Sequence, residues 1–250
     1  MEFLREIIKT QAVILRARNY SEADQLLTLF TEKLGKVTAI VKGVKKPKSK
    51  LRGGVQVFSH TNVNLYLGKS LATLTQAEVV NTFAPLREDL LRMSYAAYLS
   101  ELMDALMPEA EQDSKLFSLF LLGLHLLAVE EPWLAAKVME IRLMSALGYQ
   151  LQLENCVHCG AKVKSNYLAP GTGGLVCDSC IREEKLTDLM KISGETNVLM
   201  RQLLDMELTK VGRLKFSNNA RTEMEGILDT HIINCVGRKL KSKEFLAALT

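Results

Sequence analysis

Four of the five cysteines fall in one segment, as Cys156-Val-His-Cys159 and, after 17 further residues, Cys177-Asp-Ser-Cys180. Two cysteines three apart on a tight turn can aim both sulfurs at one ion, while amides of the turn stabilise the thiolates. Two such turns complete a tetrahedron with Zn–S bonds of about 2.3 Å. The spacing predicts Cys156, Cys159, Cys177 and Cys180 as the ligands of one Zn2+ in a zinc ribbon spanning about 153–184. Four protein ligands leave no open position for water, so the metal is structural and not catalytic. A redox C-x-x-C needs a helix start within a βαβ unit, and none is visible. Pro170-Gly171-Thr172-Gly173-Gly174, between the two pairs, reads as a hairpin turn and not as a phosphate cradle. His158 inside the first turn reads as a bystander, and Cys235 as a small buried apolar residue on a helix.

A second constellation is electrostatic. Residues 42–52 carry Lys42, Lys45, Lys46, Lys48, Lys50 and Arg52 with no acid among them. That density in a loop containing Pro and Gly is costly through self-repulsion unless an anion neutralises it, and phosphate backbone is the obvious candidate. Arg16 and Arg18 share a face of an early strand, and Lys36, Thr38 and Lys42 a face of a later one. Together they predict a basic wall beside the loop. From position 20 through position 83 the aromatics are Tyr20, Phe30, Phe58, Tyr66 and Phe83, several of them needed in a core. The module therefore reads as electrostatic more than base-stacking, with little sequence specificity. Residues 1–80 hold 13 Lys/Arg against 6 Asp/Glu, while the rest holds 19 against 22. This is a polyanion-binding module on a near-neutral body.

Signatures of catalysis are missing. Gly68-Lys69-Ser70 resembles the end of a P-loop, but Val63 stands where its first Gly must be. The four histidines are scattered, and there is no H-E-x-x-H or G-x-S-x-G. Nothing argues for an enzyme. The most apolar run, Leu116 to Val129, is short of the roughly 20 residues of a membrane span and reads as a buried helix. The first residues lack the charge and apolar run of a secretory signal, so the reading is cytoplasmic. That compartment disfavours disulfides.

The elements that must position these groups follow from periodicity. Ile7–Arg18, Asp24–Thr31, Lys36–Val41, Val55–Leu67 and Leu71–Val80 alternate or read as short strands. Turns at Leu34-Gly35-Lys36 and Gly68-Lys69-Ser70 punctuate them, predicting a small closed barrel over 1–83. From residue 84 the apolar spacing becomes three and four, as at Leu91, Tyr95, Tyr98, Leu102 and Leu106. Further helices are predicted at about 114–130, from Pro132 to Gly148, at 194–207 and at 220–236, closed by Gly237. The fold class is α+β multidomain: a five-stranded barrel, then an α-helical domain over 84–250 with the ribbon inserted.

In this order, the pieces resemble the bacterial recombination-mediator family RecO. The resemblance rests on Val13-Ile14-Leu15-Arg16, on the stretch from Lys42 to Leu51, on the Cys156–Cys180 ribbon and on Gly237-Arg238-Lys239-Leu240-Lys241-Ser242. It covers essentially the whole chain. It implies an N-terminal OB-fold barrel and binding of single- and double-stranded DNA. It further implies annealing of complementary strands and, with a RecR partner, help in loading RecA onto DNA coated with single-strand-binding protein. The acidic C-terminal tail of that protein is an implied partner, a place at the nucleoid an implied location, and zinc the one implied cofactor. Lys115, Lys137 and Arg142 are the basic residues that could meet the tail on the helices. Arg238, Lys239, Lys241 and Lys243 either extend a DNA path or complement a helix C-terminus. On the residues alone, an OB-plus-ribbon RNA-binding factor and a zinc-containing nuclease remain open.

Overall fold

A computed structural model describes residues 7–68, 71–163 and 166–249. The chain divides into two compact units. One takes the residues up to Pro132 together with the segment from Ser242, and the other runs from Trp133 to Lys241.

The first unit opens with β1 (Ile7–Asn19), β2 (Gln25–Thr31), β3 (Gly35–Val41), β4 (His60–Tyr66) and β5 (Ala72–Asn81). Their order, β1-β2-β3-β5-β4, closes into a barrel. β1 is long enough to serve two neighbours: Ala12 to Asn19 pair with β2, and Ile7 to Val13 with β4. An irregularity between Ile14 and Arg16 lets it bend from one pairing to the other. β3 and β5 pair in parallel at Ala39–Ala72 and Ile40–Thr73, which completes the closure. The interior is Ala12, Ile14, Leu27, Leu29, Ala39, Val41, Val63, Leu65, Ala72 and Leu74. β2 does not alternate, because both its faces are covered. Leu27 and Leu29 point in, while Phe30 meets the rings of Phe117 and Phe120 edge-on at 5.4 and 6.0 Å.

One strand differs from the sequence expectation. The run read from Val55 becomes strand only at His60, because residues 55–59 form turns and Phe58 adopts φ +68°. A bulky residue in the left-handed region cannot continue a strand. The turn still pairs with β1: Phe58 N donates to Ile14 O at 2.8 Å and Ile14 N to Ser59 O at 3.2 Å. The turn at Gly35 forms as expected, with φ +64°. A Cβ there would stand 2.0 Å from the Glu111 carbonyl oxygen, so only glycine fits. Of the turn expected at Gly68-Lys69-Ser70, the last two residues lie outside the described residues.

Four helices complete this unit's share of the chain: α1 (Ala84–Glu88), α2 (Leu90–Leu106), α3 (Ser114–Val129) and most of α8 (Lys241–Ala247). Asp89 and Asp113 cap α2 and α3 by accepting from Arg92 N and Leu116 N. Among the described residues, no helix is long and apolar enough to cross a membrane.

The second unit is built on α4 (Pro132–Ala146), followed by β6 (Tyr167–Ala169), β7 (Gly174–Leu175), α5 (Asp178–Glu183), β8 (Met190–Lys191), α6 (Gly194–Asp205) and α7 (Asn218–Val236). α4 is buried nearly all round. Gly148 and Gly237, at φ +85° and +75°, follow α4 and α7 as the spacing predicts. The short elements α1, α5 and α8 were not legible in the periodicity, because each spans two turns or fewer.

α6 and α7 cap each other. Glu195 in the first turn of α6 accepts from Ser217 N and Oγ at 3.1 and 2.8 Å, at the start of α7. Glu223 of α7 accepts from Ser193 N at 2.9 Å and Thr196 Oγ1 at 2.6 Å, at the start of α6, and from Asn219 Nδ2 at 2.8 Å. Burial alone would raise the Glu223 pKa, but these donors outweigh it and bring it from 4.5 down to about 2. A carboxyl depressed in the folded state contributes stability above its unfolded pKa and loses it as pH falls toward the folded value. The Glu223 contribution is therefore complete above about pH 5 and fades toward pH 2. Glu223→Gln is expected to lower stability at pH 7 by about 1–3 kcal/mol and to flatten the acid limb of the stability profile. Urea melts between pH 7 and pH 3 check this, and an unchanged acid limb contradicts it.

Candidate nucleic-acid interface and metal centre

The metal centre is assembled by two turns. At the first, Cys156 N donates to Ala161 O at 2.8 Å and Gly160 N to Cys156 O at 2.9 Å, with Gly160 at φ +73°. At the second, Cys177 precedes α5 as its N-cap, and Cys180 lies in the helix's first turn. The β6–β7 hairpin, turned by residues 170–173 as the sequence predicts, carries the chain from one to the other. The four sulfurs lie within 4.8 Å of one another. Cys159 Sγ and Cys177 Sγ are 3.7 Å apart. A tetrahedron with 2.3 Å bonds has edges of about 3.8 Å, so the spacing suits a thiolate-bound ion.

Burial opposes the Cys156 thiolate, but backbone N–H groups of Cys159, Cys177 and His158 point at its sulfur and bring its pKa down to about 6. Cys180 is pushed up, first by the Cys177 sulfur and then by burial. Cys159 is also pushed up. The Ala161 N–H favours its thiolate, yet the sulfurs of Cys156 and Cys177 outweigh that bond. The four sulfurs are close enough for the group to hold one cation between them. The exposed His158 is not among these ligands, and Cys235 sits near His231 on α7, away from them.

The basic loop is clamped at its start. Asp24 Oδ1 accepts from Gly43 N at 2.7 Å, and Lys45 N donates to Ala23 O at 3.0 Å. The Gly43 bond is the largest cause of a lowered Asp24 pKa, and the charges of Lys42 and Lys46 add to it. Past the loop, in the turn that leads into β4, Arg87 Nη2 donates to Val57 O at 2.7 Å and Ser59 Oγ at 2.9 Å. In between, Val44 and Val55 enter the barrel core, and Leu51 packs against it. Lys42, Lys46, Lys48, Lys50 and Arg52 are exposed. Lys45 is half-buried, with its ammonium on Ser21 O at 3.0 Å. Arg16 and Arg18 are exposed on β1. Sequence reasoning missed Asp24 and Arg87. The Ser-Glu-Ala-Asp turn before β2 was the local signal for Asp24, and nothing local marks Arg87.

Lys36 leaves the expected basic wall. It is only 7% exposed. Its ammonium donates to Asp104 O at 2.7 Å and lies 3.6 Å from the carboxylates of both Asp104 and Glu109. Its backbone carbonyl accepts from Ala110 N at 3.0 Å. A lysine in that setting holds the barrel to the last turn of α2 and the segment after it, and has no charge to offer a phosphate. Lys36→Met is expected to destabilise the protein by about 1–3 kcal/mol while leaving DNA affinity at fixed salt unchanged. A denaturant midpoint and an anisotropy titration test the two halves, and a loss of affinity without a loss of stability overturns the reading.

Two of the three basic residues considered for a partner tail are also taken. Lys137 is fully buried, 2.8 Å from the equally buried Glu140. Arg142 donates to Leu203 O at 2.9 Å and to Met206 O, closing the end of α6. Lys115 is exposed on α3.

The strand order of the barrel and its clamped basic loop, with helices and a cluster of four cysteines in the same chain, define an OB-fold protein with a group able to hold a metal ion. Residues 4–83 match the family model described as Recombination protein O N terminal, and residues 87–244 the one described as Recombination protein O C terminal. A DNA repair protein RecO of Symbiobacterium thermophilum is 35% identical over 97% of this chain and 98% of its own length. One from Heliobacterium modesticaldum is 38% identical over 97% and 94%. One from Desulforamulus reducens is 35% identical over 98% and 95%. The chain belongs to the RecO family of DNA repair proteins.

Proposed function

We propose that this chain is a recombination mediator without catalytic activity. It binds single- and double-stranded DNA, anneals complementary strands and, with RecR, assists RecA loading onto DNA coated with single-strand-binding protein. The observation that carries the reading is the loop from Lys42 to Arg52. It places five exposed cations on the barrel surface and is held there at its start by Asp24 and Ala23. Arg16 and Arg18 extend that surface along β1. Annealing then needs no energy source, because one cationic surface neutralises two phosphate backbones and lets two strands approach.

In this reading residues 1–83 are the DNA-binding domain, and the helical domain over 84–250 meets protein partners. The acidic tail of the single-strand-binding protein docks on the helices, where Lys115 remains available to a carboxylate. The ion in the ribbon is Zn2+, one per chain, since four thiolates at tetrahedral spacing match its preference. The protein works in the cytoplasm at the nucleoid. The test is annealing of complementary strands coated with cognate single-strand-binding protein, with and without RecR. Annealing by this chain under those conditions is the expected result. Failure to anneal coated strands, with naked strands bound normally, rejects the mediator role.

A further inference from the structure

We infer that Tyr20 is a stacking platform for an unpaired base, which gives the barrel a preference for single-stranded DNA beyond its electrostatic grip. The inference rests on the barrel being the DNA-binding face. The aromatics of the barrel sort sharply by burial. Phe30, Phe58 and Phe83 are all in the core, and Tyr66 is half-buried at the end of β4. Tyr20 is 60% exposed. Its ring stays mostly in water, in a barrel that buries its phenylalanines, so its burial contributes less to the fold than theirs does.

Its place is held by the backbone. Tyr20 N donates to Asp24 O at 3.1 Å and Ser21 N to the same oxygen at 3.4 Å, so the turn from β1 to β2 is closed on itself. The same turn is joined to the basic loop by Asp24 Oδ1 on Gly43 N, by Ala23 O on Lys45 N and by Ser21 O on the Lys45 ammonium. Tyr20 therefore stands where the turn meets the loop. The exposed Arg16 and Arg18 precede it along β1 at a spacing of two. A strand whose phosphates follow Arg16, Arg18 and the loop lysines brings its bases to this ring.

Charge holds backbone and cannot tell one strand from two. Stacking can, because a duplex keeps its base faces covered while a single strand exposes them. The Tyr20 ring is thus a group in this surface that separates the two substrates. Asp24 acts as a positioning residue, because its carboxylate ties the turn that carries the ring to the loop that carries the lysines.

The experiment uses the full chain in anisotropy titrations with an oligo-dT strand and with a duplex of equal length, at the same series of salt concentrations. Tyr20→Ala is expected to weaken single-strand binding by about 5- to 150-fold, the size of one base–aromatic stack, and duplex binding by less than about 2-fold. Tyr20→Phe keeps the ring and is expected to bind both as the wild type does. The salt slope is expected to stay put in both variants, because a lost stack releases no counterions. Equal losses on strand and duplex, or no loss on either, overturn the inference. The variant Lys45→Glu, Lys46→Glu, Lys48→Glu runs beside them. If it binds normally, the basic loop does not grip DNA and the underlying reading, which that loop carries, fails. If it loses both substrates while Tyr20→Ala loses neither, only the stacking role fails.

Discussion

Replacing Lys45, Lys46 and Lys48 with glutamate is expected to weaken single- and double-stranded DNA binding together and to flatten the salt dependence of both. Contacts to phosphate carry no sequence information, so the loss falls on every substrate alike. Each phosphate contact removed takes about 0.7 from the slope of log K against log salt for a single strand, and about 0.9 for a duplex. Three contacts lower the slopes by roughly 2 and 3 units. The structure refines the share of each lysine. Lys46 and Lys48 are exposed, so their loss is electrostatic. Lys45 also donates to Ser21 O, so its replacement loosens the clamp on the turn as well. Global stability is expected to move by well under about 1 kcal/mol, since exposed loop charges contribute little to a fold. The measurement is a titration at several salt concentrations beside a thermal melt. Unchanged affinity and slope make the loop a solvated turn and move the search for the DNA path to Arg16 and Arg18.

Replacing Cys156 or Cys177 with serine is expected to release the metal and unfold the ribbon. The ribbon has little else to hold it. Its buried apolar cluster is Cys156, Ala169, Val176 and Cys180, and two of these four are ligands. Replacing Cys156 therefore removes a ligand and part of the core, and replacing Cys177 removes a ligand packed against that core. Structural zinc sites in small peptides bind with apparent free energies of about 10–16 kcal/mol near neutral pH, and that binding is their folding free energy. The local cost here is of that order, while the barrel has its own core and stays folded. Metal content of the purified variant and its melting curve measure the loss. DNA binding by the variant is expected to follow its folded fraction. A variant that keeps its melting behaviour yet cannot bind DNA contradicts a purely structural role and makes the ribbon a DNA contact.

What could be read from the sequence is what depends on neighbours along the chain. The cysteine pairs were legible because each pair is a single turn, closed by local bonds such as Gly160 N to Cys156 O. The long helices were legible because their apolar faces repeat every three to four residues, and the ends of two of them because Gly148 and Gly237 follow. The charge of the loop needed only composition.

Contacts made across the fold were not legible. Lys36 alternates along β3 like any exposed lysine, yet closure of the barrel turns its ammonium into Asp104, 68 residues away. The strand expected from Val55 kept its alternating pattern through Phe58, but the left-handed turn there is imposed by the pairing of Ile14 with Phe58 and Ser59. Lys137 lies on a helix whose own pattern does not mark which face is buried, and the fold closes over all of it. Asp24 meets Gly43 of the basic loop from 19 residues away, and Arg87 meets Val57, beyond the loop, from 30. Periodicity reports the environment a residue favours on average. Which partner meets a given side chain is set only when distant strands and helices close, and that decides whether a lysine grips DNA or locks the fold.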